Sequence, residues 1–155
     1  MTEDELDAYL GAARTCSVAT IGPSGPHLSA LWFVWDGDAL WLYSIVKSQR
    51  WTDVMRDPRV AILVEAGEAY SELQGVEIRG SAATVGEVPR TGEPNDALTV
   101  PESLFARKYQ GPETPGAETP NAETPKMAYD GRHAWLRITP DKITSWDFRK
   151  LAQLA

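Results

Sequence analysis

The chain has 155 residues, 43% of them apolar and 24% charged, with 15 lysines and arginines against 22 acidic residues and a net charge of −7. That length makes one domain able to bury on the order of 70% of its unfolded surface, and one cysteine (Cys16) with two distant histidines (His27, His133) argues against a disulfide framework and a zinc site. The acidic balance argues against a nucleic-acid footprint, and no apolar run is long enough to span a bilayer, so the expectation is a soluble cytoplasmic protein.

Thr2 and Glu5 have capping-box spacing, and Leu6, Tyr9, Leu10 and Ala13 follow at helical spacing, which predicts a short amphipathic helix packed for stability. Strands are predicted at residues 16–21, 27–35 and 39–44. Gly22-Pro23-Ser24-Gly25-Pro26 and Asp36-Gly37-Asp38 separate them as hairpin turns, since Asp-Gly supplies positive φ. Ser48 caps a second helix to Arg56, and Asp57-Pro58 ends it because the residue before proline is pushed out of the α region. Residues 59–65 and 75–85 read as two more strands, and Pro101 suits the first turn of a helix that ends near Gln110 before Gly111. Glu-Thr-Pro then recurs every five residues at 113, 118 and 123, a composition too polar and Pro-rich to bury itself. Residues 133–139 and 143–148 close the chain as an expected hairpin around Pro140-Asp141.

Seven short, mostly antiparallel strands without βαβ alternation predict a mainly β fold, a closed or nearly closed barrel with two or three peripheral helices. The whole of 1–155 is one domain in this reading, with 111–126 a flexible repeat loop inside it. Trp32, Trp35 and Trp41 on adjacent strands predict exposed aromatic surface that a dimer would bury.

No Walker loop, no GxGxxG and no nucleophile–base signature is present. The segment from Tyr43 and Ser44 through Lys47, Ser48 and Arg50 to Trp51 puts hydroxyls and two cations where a strand ends and a helix begins. Such a turn suits an anion, since helix N–H groups, the dipole and full charges point the same way, but the same residues also suit a solvated cationic turn. Arg79 and Arg137 are candidate substrate-polarising groups on strands that equally suit solvent.

The run Leu28-Ser29-Ala30-Leu31-Trp32-Phe33-Val34-Trp35-Asp36-Gly37-Asp38, the Lys47-Ser48-Gln49-Arg50 turn and Met55-Arg56-Asp57-Pro58-Arg59-Val60 resemble the pyridoxamine 5'-phosphate oxidase-like superfamily of split β-barrels. The resemblance continues at Gly75-Val76-Glu77-Ile78-Arg79-Gly80, at Trp135-Leu136-Arg137-Ile138-Thr139-Pro140 and at Trp146-Asp147-Phe148, and within the superfamily it is nearest to the flavin/deazaflavin oxidoreductases of the B type. It implies a homodimer with cofactor sites at the interface and the deazaflavin coenzyme F-420 as cofactor, with FMN as the alternative. Carried over, Lys47, Ser48 and Arg50 match the cofactor-phosphate turn, Tyr43 and Ser44 the preceding strand end, and Ser29, Ala30, Leu31 and Trp32 the strand along the ring. Trp146 matches an aromatic presented by the second protomer. His27-Leu28 and Phe33 stand where true pyridoxamine phosphate oxidases carry basic residues, which argues against vitamin B6 oxidation. The implied activity is a reductase passing hydride to an electron-poor small molecule, the alternatives being an FMN-dependent oxidase or reductase and a non-catalytic flavin-binding module. Lys47, Arg50, Arg56 and Arg59 lie within thirteen positions, more cations than one phosphate needs, which leans toward the polyanionic deazaflavin tail.

Overall fold

The computed structural model describes residues 1–111 and 125–154, so most of the predicted Glu-Thr-Pro loop lies outside the described residues. Helix α1 (Glu3–Ala12) begins with the predicted capping box: the Thr2 hydroxyl accepts the Glu5 N–H and the Glu5 carboxylate accepts the Thr2 N–H. Strands β1 (Thr15–Gly22), β2 (Gly25–Trp32), β3 (Val34–Trp35) and β4 (Leu40–Ile45) lead to α2 (Gln49–Arg56). Then come β5 (Arg59–Ala66), β6 (Gln74–Val85), α3 (Thr99–Tyr109) and β7 (His133–Asp147), with short 3-10 turns at Tyr70–Glu72, Asp96–Leu98 and Phe148–Gln153. The fold is mainly β, a split barrel: one antiparallel seven-stranded sheet in the order β2-β1-β5-β6-β7-β4-β3, curled on itself but left open between its ends.

Two strand predictions need correction. Residues 27–35 are not one strand: β2 pairs with β1, the chain breaks at Phe33, and β3 pairs with β4 at the opposite end of the sheet. The closing hairpin is instead one fifteen-residue strand, β7, which pairs along β6 and then along β4. Pro140-Asp141 makes a bulge there, because the register shifts between Arg79 and Gly80 and Asp141 is left without a partner. Gly80 is required at that point, since a Cβ would sit 2.2 Å from the Thr139 carbonyl oxygen.

Alternation along the strands builds the core. Cys16 and Val18 of β1, Val60, Ile62 and Val64 of β5, Val76 and Ile78 of β6, Leu136 and Ile138 of β7, and Leu40 and Leu42 of β4 meet inside the curl with Leu10 of α1. The outward residues of β4 and β7 are also covered. Trp41 and Trp135 pack with Val34, Ala39, Leu98 and Phe105 beneath α3 as a second, smaller core. Trp35 and Trp41 are therefore buried within one chain, and of the three tryptophans expected at the surface only Trp32 is exposed. Part of the remaining exposed apolar surface lies on β2 and its neighbours: Leu28 is 69% exposed, and Ile21 and Leu63 are exposed with it.

The segment between β6 and α3 is fastened by one buried cation. Arg90 pairs with Glu87 and, at 2.6 Å, with Glu102 of α3, and donates to the Glu93 carbonyl. Glu102 also accepts from the Trp135 indole at 3.0 Å and the Tyr129 hydroxyl at 2.7 Å. This network seats α3 on β7 and brings Tyr129, Asp130 and His133 alongside it.

Candidate functional site

The sheet fails to close between β2 and β4, and Arg50 sits in that gap. Ser48 caps α2 as predicted, its hydroxyl accepting the Trp51 N–H and donating to the Ile45 carbonyl. The first turn of α2 then directs Arg50 inward, where Nε donates to Ser44 Oγ of β4 at 3.1 Å and Nη1 to Ser29 Oγ of β2 at 2.6 Å. Ser44 is fully buried and Arg50 is 7% exposed. Burial works against the guanidinium charge, and among the described residues its bonds run to hydroxyls with no carboxylate to balance it. A buried unpaired cation costs several kcal/mol, a cost that an anion placed beside it would offset. Cys16 lies close by, but burial pushes its thiol up to about 12 and removes it as a nucleophile.

Three of the residues assigned by sequence thus converge: Ser29, Ser44 and Arg50. Lys47 stands beside them on the exposed turn, and Ser48 spends its hydroxyl on the cap. Arg56 and Arg59 do not join as free charges, since Arg56 donates to the Ile21 carbonyl and approaches Asp53, while Asp57 chelates Arg59. Arg79 is likewise paired with Glu77 on the exposed sheet face, and Arg137 donates to the Thr139 hydroxyl.

Strand alternation divides the rest of the predicted set. Ser29 and Leu31 point into the curl, whereas Ala30 and Trp32 point out. On β4, Ser44 faces Arg50 and Tyr43 faces α3. Leu31, Trp32 and Tyr43 line a cleft of about 500 Å³ with Phe105, Gln110, Ala128, Tyr129, Asp130 and His133. The last six were not assigned from sequence. Asp130 and His133 stand about ninety residues from Tyr43, and only the Asp-Gly turn at 130–131 hinted at a fixed side chain there. Trp146 lies twelve residues along β7 from Ala134, the partner of Ser44, or roughly 40 Å of extended strand. There it covers Gly75, where any Cβ would meet its ring at 2.2 Å. Within one chain it belongs to neither site.

These observations can be set beside known proteins. The profile of a family described as pyridoxamine 5'-phosphate oxidase matches residues 2–147. The chain belongs to the pyridoxamine 5'-phosphate oxidase family. Among solved members of the fold, the conserved hypothetical protein Rv2991 of Mycobacterium tuberculosis is 34% identical, the match covering 98% of this chain and 88% of that one with a TM-score of 0.73. An F-420 reductase is 23% identical over 89% of this chain and 94% of that one, at a TM-score of 0.59. The heme storage protein HutZ of Vibrio cholerae is 12% identical over 94% and 93%, at 0.64. The last two share the fold alone. No curated protein matches the chain. The described residues include no cluster of metal-ligating side chains and no helix long and apolar enough to cross a membrane.

Proposed function

We propose that this chain is a cofactor-dependent oxidoreductase, a deazaflavin (F-420)-dependent reductase that delivers hydride to an electron-poor small molecule and works as a homodimer. Arg50 carries the reading. A guanidinium that is buried and, among the described residues, bound only to the Ser29 and Ser44 hydroxyls, at the first turn of a helix, calls for an anion, and the cofactor phosphate is the anion the resemblance implies. Lys47 and the first-turn N–H groups of α2 would complete the phosphate site. The ring would lie along Ser29, Ala30, Leu31 and Trp32, because β2 ends the sheet and has backbone donors and acceptors free on one edge. When bound, the ring supplies the hydride chemistry; the protein holds the phosphate, aligns the ring and keeps water from it.

The outer face of β2, β1 and β5 supports the dimer. Leu28, Ala19 and Ala61 form one cross-strand row and Ala30, Ser17 and Leu63 the next, a sheet face of small and apolar residues with no covering layer among the described residues. Trp146 would meet a cofactor only from the partner protomer. A cytoplasmic setting, the expectation from sequence, goes with this reading.

A second reading, FMN as cofactor, is favoured by one observation. With Arg56 and Arg59 already answered, Lys47 and Arg50 remain for the anion, a number that also suits a single phosphate. Fluorescence titrations of the deazaflavin and FMN at two ionic strengths separate the readings. The deazaflavin should bind more tightly at low salt, with the gap narrowing as salt rises, because its extra carboxylates are screened. Tighter FMN binding at both strengths makes FMN the cofactor. Binding of either without turnover of quinone or enone acceptors makes the chain a carrier, and binding of neither sinks the proposal.

A further inference from the structure

Lys108 of α3 reaches between two other elements and, among the described residues, has no carboxylate partner. Its Nζ donates to the carbonyl of Leu10, in the last turn of α1, and to that of Phe33, where the chain leaves β2, each at 3.4 Å. It also stands 4.4 Å from the centre of the Phe33 ring and 5.5 Å from that of Tyr109. Helix α1 has no basic residue in its own last turn, so a cation from α3 answers its carbonyl end, and that much is structural. The amine is left partly desolvated. Burial, with Arg14 beside it, lowers Lys108 to about 8, so a working fraction of it is neutral and nucleophilic near neutral pH.

The peptide bonds that offer these two carbonyls lead into Gly11 and Val34, and both residues line a solvent-open cavity of about 260 Å³ with Trp35, Leu104, Arg107 and Lys108 itself. That is smaller than the pockets that take drug-sized ligands, and Val34, Trp35 and Leu104 make its walls apolar. Arg107 is exposed, with the Ser103 hydroxyl at 2.8 Å as its described partner. Of the other titratable groups around Nζ, the Cys16 thiol is buried and held protonated, and the Tyr109 hydroxyl is committed to the Arg14 and Phe33 carbonyls. The cavity thus joins one amine able to lose its proton to one guanidinium that keeps its charge, a nucleophile beside an anion holder.

We propose that this cavity captures small 2-oxo acids, the carbonyl carbon condensing with Lys108 Nζ as an imine and the carboxylate lying on the Arg107 guanidinium. The amine lone pair forms the N–C bond, the carbonyl oxygen leaves as water with the two amine protons, and nothing is oxidised or reduced. A 2-oxo acid carries its electrophilic carbon one bond from its charge, and adjacent side chains of one helix turn are placed to meet both. No residue of this cavity lines the cleft at Trp32 or bonds Arg50, so the site stands apart from the cofactor reading.

Glyoxylate with cyanoborohydride, applied to the full chain near neutral pH and followed by peptide mass mapping, tests this, because reduction fixes each imine as a carboxymethyl group on its lysine. Lys108 should be labelled about tenfold faster than each of the exposed Lys47, Lys142 and Lys150. Acetaldehyde lacks the carboxylate and so isolates the part played by Arg107. With it, the ratio of Lys108 to Lys142 labelling should be about tenfold lower than with glyoxylate, and Arg107→Gln should lower the glyoxylate ratio by about the same factor. Lys108 labelled no faster than the exposed lysines, label confined to the Met1 amine, a Lys108 preference equal for the two aldehydes, or one that survives Arg107→Gln overturns the proposal and leaves Lys108 as the cap of α1. Both aldehydes are compared on the wild-type chain, so a misfolded variant leaves the test intact.

Discussion

Arg50 and Lys47 are three positions apart and chemically alike, yet the fold gives them opposite surroundings. Arg50 is buried against two hydroxyls; Lys47 stands in solvent. A charge-assisted hydrogen bond made in a desolvated site is worth about 1.5–3 kcal/mol, whereas an exposed ion pair is worth about 1 kcal/mol or less. Arg50→Gln should therefore cost tenfold or more in cofactor affinity, and Lys47→Ala no more than about fivefold. Titration of each variant, with thermal melting followed in parallel, measures both. Equal losses, or a larger loss at Lys47, would place the anion on the exposed turn instead.

At the scale of elements, the Arg90 network decides whether α3 stays on β7 and so whether the aromatic cleft has its second wall. Burial works against the Glu87 charge, but the Arg90 guanidinium, the Glu93 N–H and the Thr91 hydroxyl outweigh it and hold the carboxyl at about 2. A carboxyl lowered on folding adds stability that is complete above its unfolded value, about 4.3, and fades as pH falls toward the folded one. Between pH 4.5 and 2 the wild-type protein should lose stability more steeply than Glu87→Gln, as read by denaturant melts at several pH values. Arg90→Met should be the harsher change, since it strands Glu87 and Glu102 as unpaired carboxylates in a largely buried place and costs about 3–5 kcal/mol. Loss of that much in Arg90→Met with the Trp32 environment unchanged by fluorescence would show that α3 is seated by its apolar contacts alone.

For the whole molecule, the exposed rows on β2, β1 and β5 set the test of assembly. Leu28 stands at their edge, 69% exposed. Leu28→Asp places a charge on that face and touches no core residue, so the folded chain should persist as a monomer with weakened cofactor binding. Sedimentation at micromolar concentration measures the first and titration the second. A wild-type protein that is monomeric and still binds cofactor would end the dimer reading, and a Leu28→Asp protein that stays dimeric would move the interface elsewhere.

Much of this was legible in the residue order because the signals were local. Capping at Thr2 and Ser48, termination at Asp57-Pro58 and alternation along β1 and β5 each depend on groups a few positions apart, and all appear where expected. The nearness of Ser44 to Arg50 was legible for the same reason, as a hydroxyl at a strand end and a cation at the helix start that follows. What alternation could not reveal was the partner of each strand. Pro140-Asp141 has the chemistry of a turn and becomes a bulge because β6 runs long enough, with Gly80 opposite, to keep β7 paired through it. Phe33 breaks a continuous apolar run because the chain must leave β1 there and join β4 across the open side of the sheet. Three conspicuous tryptophans suggested a surface, but Trp41 is covered by α3 and β7, elements far off in sequence, and Trp35 lies in the main core with its indole donating to Asp7 of α1. The Arg50 pocket joins β2, β4 and α2, and the aromatic cleft joins β2, β4, α3 and the start of β7; residue identity determined which groups could bind an anion or a ring, and only the long-range pairing of strands decided which of them meet.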